Sequence, residues 1–431
     1  LPTDELVQLF SFIDKDKDGT INQEEFGQFV STTLPPGTVI PPAAIALGFQ
    51  VLDKDNSGTL SVSDLIGTEG DVITKAAEIL SVEVKEEPIE QNQISPSDCS
   101  TVGSAYNSLN QNVPYAVQME CDGYKEIIYF DQESRDAKLL MNLSRSFPDK
   151  YISFGEWSDS NDKALLSVQD SSSYVEVFLL DLKEQKLQFV GTASNIPKEK
   201  LFKNERRKFT TRDGETIYGY LTKPKQKIKK LFVYVHGGPY GVRDFDEFDP
   251  FEQYLVSKGA AVLKVNFRGS GGFGQDKIEN AYKEWGGMLL NDVADATIAT
   301  QKELGLSRDE TCAVGASYGG YAALTLAYKH GDIYECVAGG MGVYDMKILR
   351  DGSDESIYTY QDDYFEIAED FWGNDEKQHI DFSPVYNADK MKSRILMWHG
   401  LQDPISPIMH LDLMKEALEE NNVEYKSFTM S

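Results

Sequence analysis

The chain has 431 residues, 41% of them hydrophobic and 11% aromatic, which is enough for large cores; that length suggests roughly three domains. A formal net charge of −28 argues against nucleic acid as a partner. No uninterrupted apolar run of about 18 residues is present, so no spanning helix and no membrane partner are expected.

The acid is concentrated at the start, where residues 1–98 hold 18 Asp and Glu against 5 Lys and Arg. "DKDKDGTINQEE" puts Asp14, Asp16 and Asp18 at alternate positions, then Gly19, with Thr20 offering a carbonyl, Asn22 able to hold a water and Glu25 closing the loop. A hard cation with six to eight oxygen ligands needs this alternation, and apolar residues at helical spacing flank the loop. "DKDNSGTLSVSD" repeats it through Asp53, Asp55, Ser57, Thr59 and Ser61, but Asp64 stands where the first loop has Glu25. One methylene shorter, Asp64 reaches the ion less easily, so weaker calcium binding is expected there. Residues 1–80 read as an all-α EF-hand pair, with Ile21 and Leu60 placed to pair between the loops. The polar stretch 81–113, broken by Pro88 and Pro96, reads as a linker.

Residues 114–204 are rich in short β runs such as "KALLSVQD" and "YVEVFLLDL", spaced like the strands of a propeller, yet long enough for only two or three blades. From about residue 205, strands alternate with helical segments, the pattern of a doubly wound sheet whose site lies at the strand C-termini. "GASYGGY" places Ser317 between a β-prone run and a buried helix, the grammar of a nucleophile elbow. The N–H groups of Tyr318 and Gly238 are the candidate oxyanion donors, and Asp403 stands where the acid of a Ser, Asp, His order belongs.

"RDGETIYGYL", "HGGPYG", "NFRGSGGFG", "GASYGGY" and "HGLQD", in that order over residues 205–431, resemble the catalytic domain of the prolyl oligopeptidase family, particularly its acylaminoacyl-peptidase and dipeptidyl-peptidase-like members. The resemblance implies an α/β-hydrolase domain behind a propeller-like module, and serine peptidase activity on short peptides without a catalytic cofactor. Calcium is expected only at the EF-hand loops. Two readings stay open beside it: an α/β-hydrolase esterase, and a non-enzymatic calcium sensor with an inactive hydrolase domain. Side-chain preference and oligomeric state are not legible.

Other residues take plainer readings. His236 and His399 are turn residues, Arg268 braces a loop, and Val343 and Met346 are candidates for an apolar substrate pocket. The triad base is harder to place among His236, His330, His379, His399 and His410. His330 lies a helix away from Ser317, His379 precedes Asp403, and His410 sits in an apolar-periodic helix. In the resembled family the base follows one more helix and strand, so it is expected past Ser431, in a catalytic domain incomplete at its C-terminal end and inactive by itself. The four cysteines have no CxxC spacing; a disulfide framework is not expected, and a reducing, cytoplasmic compartment is.

Overall fold

The computed structural model describes residues 13–15, 17, 20–22, 25–26, 59–60, 99–106, 114–121, 124–130, 132–192, 196–351 and 369–431. Among the EF-hand positions, Asp16, Asp18, Asp53, Asp55, Ser57, Ser61 and Asp64 lie outside the described residues. Ile21 and Leu60 form an antiparallel bridge with 2.8 Å hydrogen bonds in both directions, and each is 1% exposed. Apolar residues at equivalent loop positions thus tie the two loops together.

Two antiparallel sheets follow. One holds β1 (Ser100–Tyr106), β2 (Pro114–Cys121) and β3 (Tyr124–Tyr129); the other holds β4 (Tyr151–Trp157), β5 (Lys163–Asp170), β6 (Ser173–Asp181) and β7 (Lys186–Thr192). β1 falls inside the stretch expected as linker, which corrects that boundary. Its partner β2 supplies the reason: Ser100 and Thr101 register against Glu120 and Met119, so a polar segment is recruited by backbone pairing.

Between the sheets runs helix α1 (Arg135–Ser146), unexpected in a strand-rich region. The Ser134 side chain accepts from Ala137 N at 3.2 Å, and Asp136 and Arg145 match the helix dipole at its two ends. Ala137, Leu140 and Leu143, spaced by three, bury against Ala116, Ile152, Leu166 and Val168.

The third sheet has eight strands in the order β15-β14-β13-β12-β10-β11-β9-β8. They are β8 (Asn204–Thr210), β9 (Thr216–Thr222), β10 (Lys230–Val235), β11 (Ala260–Asn266), β12 (Thr311–Ala316), β13 (Cys336–Gly340), β14 (Arg394–Gly400) and β15 (Tyr425–Met430). β8, β9 and β11 pair antiparallel, and the remaining neighbours pair parallel. All seven residues of β11 are buried, because helices cover both faces of a parallel sheet. Chief among the helices are α2 (Pro250–Ser257), α3 (Met288–Leu304), α4 (Tyr318–Lys329) and α5 (Met409–Glu420). One apolar core runs from Leu231, Val233 and Leu263 through Leu290, Leu324 and Leu326 to Leu411 and Met414. This is an α/β-hydrolase catalytic domain beside a small β module.

Disulfides join Cys99 to Cys121 and Cys312 to Cys336, correcting the expectation of free thiols. The chain separations of 22 and 24 residues hid two close pairs. Cys99 and Cys121 adjoin the paired residues Ser100 and Glu120, and Cys312 registers directly against Cys336. With them goes the ground for a reducing compartment. Among the described residues no helix is long and apolar enough to cross a membrane.

Candidate active site

Ser317 occupies the turn from β12 into α4 with φ 56° and ψ −126°. A serine held at positive φ is costly, by about 1–3 kcal/mol, and such strain gathers at functional sites. The turn is tight because a side chain has no room on either flank. A Cβ on Gly315 would sit 2.5 Å from Val235 O, and one on Gly319 would collide with the same carbonyl. α4 therefore packs directly on the end of β10 and carries Ser317 to the sheet's C-terminal edge.

That edge also presents the His236–Gly241 turn. A Cβ built on Gly237 would lie 3.6 Å from Ser317 Cβ and 4.0 Å from its Oγ. Sequence reasoning pointed to Gly238, which follows at φ 114° ahead of a cis peptide to Pro239. The structure brings Gly237 against the serine as well, a distinction that the glycine doublet alone could not make. Tyr318 opens α4, so its N–H has no intrahelical acceptor. Its ring is buried, and its hydroxyl donates to Trp285 O at 2.8 Å.

His236 braces this turn. Its Nδ1 donates to Gly237 O at 2.7 Å, which leaves Nε2 to accept from Ser270 Oγ at 3.0 Å. The ring stacks on Phe267 at 4.3 Å, and burial pulls its pKa down to about 4, so it is neutral. Arg268 is likewise a brace: it pairs with Asp292 at 2.7 Å and Asp213 at 2.5 Å.

Asp403 lies just past β14, where its Oδ1 accepts from Ile405 N and Ser406 N, both at 2.9 Å. The buried His399 donates from Nε2 to Ser406 O at 2.7 Å and so holds the same turn; burial lowers its pKa. His330 caps α4 and bonds Asn291 at 3.0 Å, His379 donates to Trp372 O at 2.8 Å, and His410 is fully buried on α5. Among the described residues, Ser317 Oγ hydrogen-bonds no imidazole. Val343 and Met346, 9% and 1% exposed, belong to the central core. The segment after β13 turns straight back onto α4, so these side chains face inward.

At the first EF-hand loop, Asp14 and Glu25 are each 7% exposed. The Glu25 carboxylate accepts from Lys15 N at 2.9 Å and Asn22 N at 3.1 Å. Asp14 and Glu25 offer oxygen and lie inward, which fits a hard cation.

The fold is of the α/β-hydrolase class, with Ser317 on its strained strand-to-helix turn. Residues 246–431 match the prolyl oligopeptidase family; residues 5–33 and 45–66 match EF hands. The C-terminal part of the chain is thus similar to the prolyl oligopeptidase family, with EF-hand sequence ahead of it. The dipeptidyl aminopeptidase BIII of Pseudoxanthomonas mexicana is 30% identical over 49% of this chain and 32% of its own length. The dipeptidyl peptidase family member 6 of Caenorhabditis elegans is 27% identical over 67% of this chain and 42% of its own. Among solved structures, a puromycin hydrolase superposes with a TM-score of 0.59 at 23% identity, over 73% of this chain and 47% of that one. The acylaminoacyl peptidase of Pyrococcus horikoshii gives 0.58 at 18%, over 73% and 49%. The chain spans about a third to a half of these proteins' lengths.

Proposed function

We propose that the chain is the catalytic part of a calcium-binding serine peptidase that hydrolyses short peptides by acyl transfer. Ser317 Oγ attacks the scissile carbonyl as an imidazole takes its proton, and the same imidazole returns it to the leaving amine. The N–H of Tyr318 and the Gly237–Gly238 backbone receive the developing oxyanion. Asp403, with Oδ1 already held by two amides, keeps Oδ2 for orienting the imidazole. The observation that carries this reading is the strained Ser317 lying against the Gly237 turn.

In this reading the base is none of the five histidines, because Ser317 Oγ touches no imidazole. The chain alone is therefore a weak peptidase. Relatives named for releasing dipeptides or acylated residues direct the substrate reading to peptide N-termini. Matched peptide anilides and esters, assayed with imidazole added as a base, test it. Turnover of the ester with none of the anilide would favour the esterase reading.

For calcium, Asp14, Asp16, Asp18, the Thr20 carbonyl, Asn22 through water and Glu25 would form one site. Asp53, Asp55, Ser57, Thr59, Ser61 and Asp64 would form a weaker one. The ion would organise the helix pair and takes no part in the hydrolytic step.

A further inference from the structure

Two residues past the Gly237–Gly241 turn, Arg243 is buried with its side chain 3% exposed. Its donors are divided between two modules. Nε donates to Asp244 O at 3.1 Å and Nη2 to Tyr220 Oη at 3.2 Å, both within the catalytic domain. Nη1 donates to Thr101 O at 3.1 Å, and Nη2 faces Glu120 Oε2 at 3.5 Å; both acceptors come from the β1–β3 sheet. Tyr220 Oη also donates to Glu120 in a short bond. The guanidinium lies over the rings of Phe245 and Phe273, at 5.0 and 4.8 Å. A planar fork with this many fixed acceptors has one orientation open to it.

The same hub is laced to the oxyanion turn. Gly241 N donates to Gly269 O at 2.9 Å, Gly271 N to Val242 O at 3.0 Å, and Thr101 N to Gly272 O at 2.9 Å. Three residues on, Asp246 pairs with Lys125 of β3 at 2.9 Å, a second grip from the same sheet. The Cys99–Cys121 disulfide fixes β1 to β2 immediately beside Thr101 and Glu120.

We infer that Glu120 is a positioning residue of the hydrolase: through Arg243 and Tyr220, the β1–β3 sheet sets the geometry of the oxyanion turn from outside the catalytic domain. The inference rests on the reading of Ser317 as nucleophile, and its effect is on the turn rather than on substrate contact. Glu120 is engaged by Arg243 and Tyr220 and so does not serve as an anchor for a peptide amine. Removing one partner of a buried pair leaves a charge uncompensated, so loosening should start at this hub.

The test is hydrogen exchange on the full chain and on Glu120→Gln and Tyr220→Phe, alongside the rate of fluorophosphonate labelling of Ser317 with added imidazole. The expected result is amide exchange over 236–243 faster by about tenfold in Glu120→Gln, and by a smaller factor in Tyr220→Phe, with exchange across α4 unchanged. Labelling slows in the same order while the melting temperature of Tyr220→Phe stays near the wild-type value. Unchanged exchange over 236–243 in a folded Tyr220→Phe and a folded Glu120→Gln would overturn the inference. If Glu120→Gln does not fold, Tyr220→Phe decides alone. Faster exchange with no labelling of the wild-type serine would uphold the latch and overturn the nucleophile reading instead.

Discussion

Gly319→Ala should be among the most damaging single-methyl additions in the catalytic domain. The added Cβ would meet Val235 O head-on, with Val235 C at 3.0 Å and His236 O at 3.2 Å. All three atoms are backbone, so no rotamer change can relieve the clash. Ordinary contact requires about 3.5–4.0 Å, so relieving the clash with Val235 O means parting α4 from the end of β10 by roughly 1.5–2 Å. Forcing an extra methyl into a packed core costs about 1–3 kcal/mol, and here the upper end applies because both neighbours are strand or helix backbone. For a domain of this size each kcal/mol lowers Tm by about 2–4 °C, so a fall of about 6–12 °C is expected. The same displacement separates Ser317 from the Gly237 turn, so labelling by a fluorophosphonate should fall with it. Differential scanning calorimetry and intact-mass labelling read the two effects. Gly191→Ala in β7, where a Cβ would meet nothing within 4 Å, is the control and should leave Tm unchanged or slightly raised. A Gly319→Ala protein with wild-type Tm and labelling would refute the close-packed elbow.

Other expectations follow from the same contacts. Arg268→Ala leaves Asp292, whose side chain is fully buried, without its partner, and should cost about 3–5 kcal/mol in urea unfolding. His236, with its pKa pulled down to about 4 from an ordinary 6.5, is neutral in the fold but protonated in the unfolded chain over that interval. Its contribution is therefore complete above pH 6.5 and is lost as pH falls toward 4. Asp244, pushed up to about 6 by burial, acts in the opposite sense, so the difference in pH–stability curves between wild type and His236→Gln isolates the imidazole. Calorimetric titration of the full chain should show one tight and one weaker calcium site, with the tight one removed by Asp14→Ala plus Glu25→Gln. Alkylation without reductant should add no mass, because both cysteine pairs are bridged.

The parts of this molecule that were legible in the sequence are those that carry their own local chemistry. A loop that must offer oxygen at alternate positions spells itself out from Asp14 to Glu25, and a serine that needs glycines on both sides spells out 315–320. β10, β11 and β12 announce themselves as apolar runs because both their faces are covered. The illegible parts depend on partners distant in the chain. β1 is polar and takes its strand form from pairing with β2. The disulfides join cysteines brought together by sheet register, which spacing does not reveal. α1 carries a serine cap and a three-residue apolar repeat, but its neighbours on both sides alternate like strands. Glu120 and Arg243 are 123 residues apart and look like surface charges until the β module is docked. Val343 and Met346 followed a strand end where pockets form, yet the chain there folds back onto α4.

The central claim is that Ser317 is a nucleophile presented on a strained elbow and lacking its base among this chain's histidines. The rate of fluorophosphonate labelling at Ser317, with and without added imidazole, tests it most directly. The account predicts slow labelling confined to Ser317, abolished by Ser317→Ala and accelerated by imidazole. Rapid labelling without imidazole that His410→Ala abolishes would contradict it, by placing the base on α5.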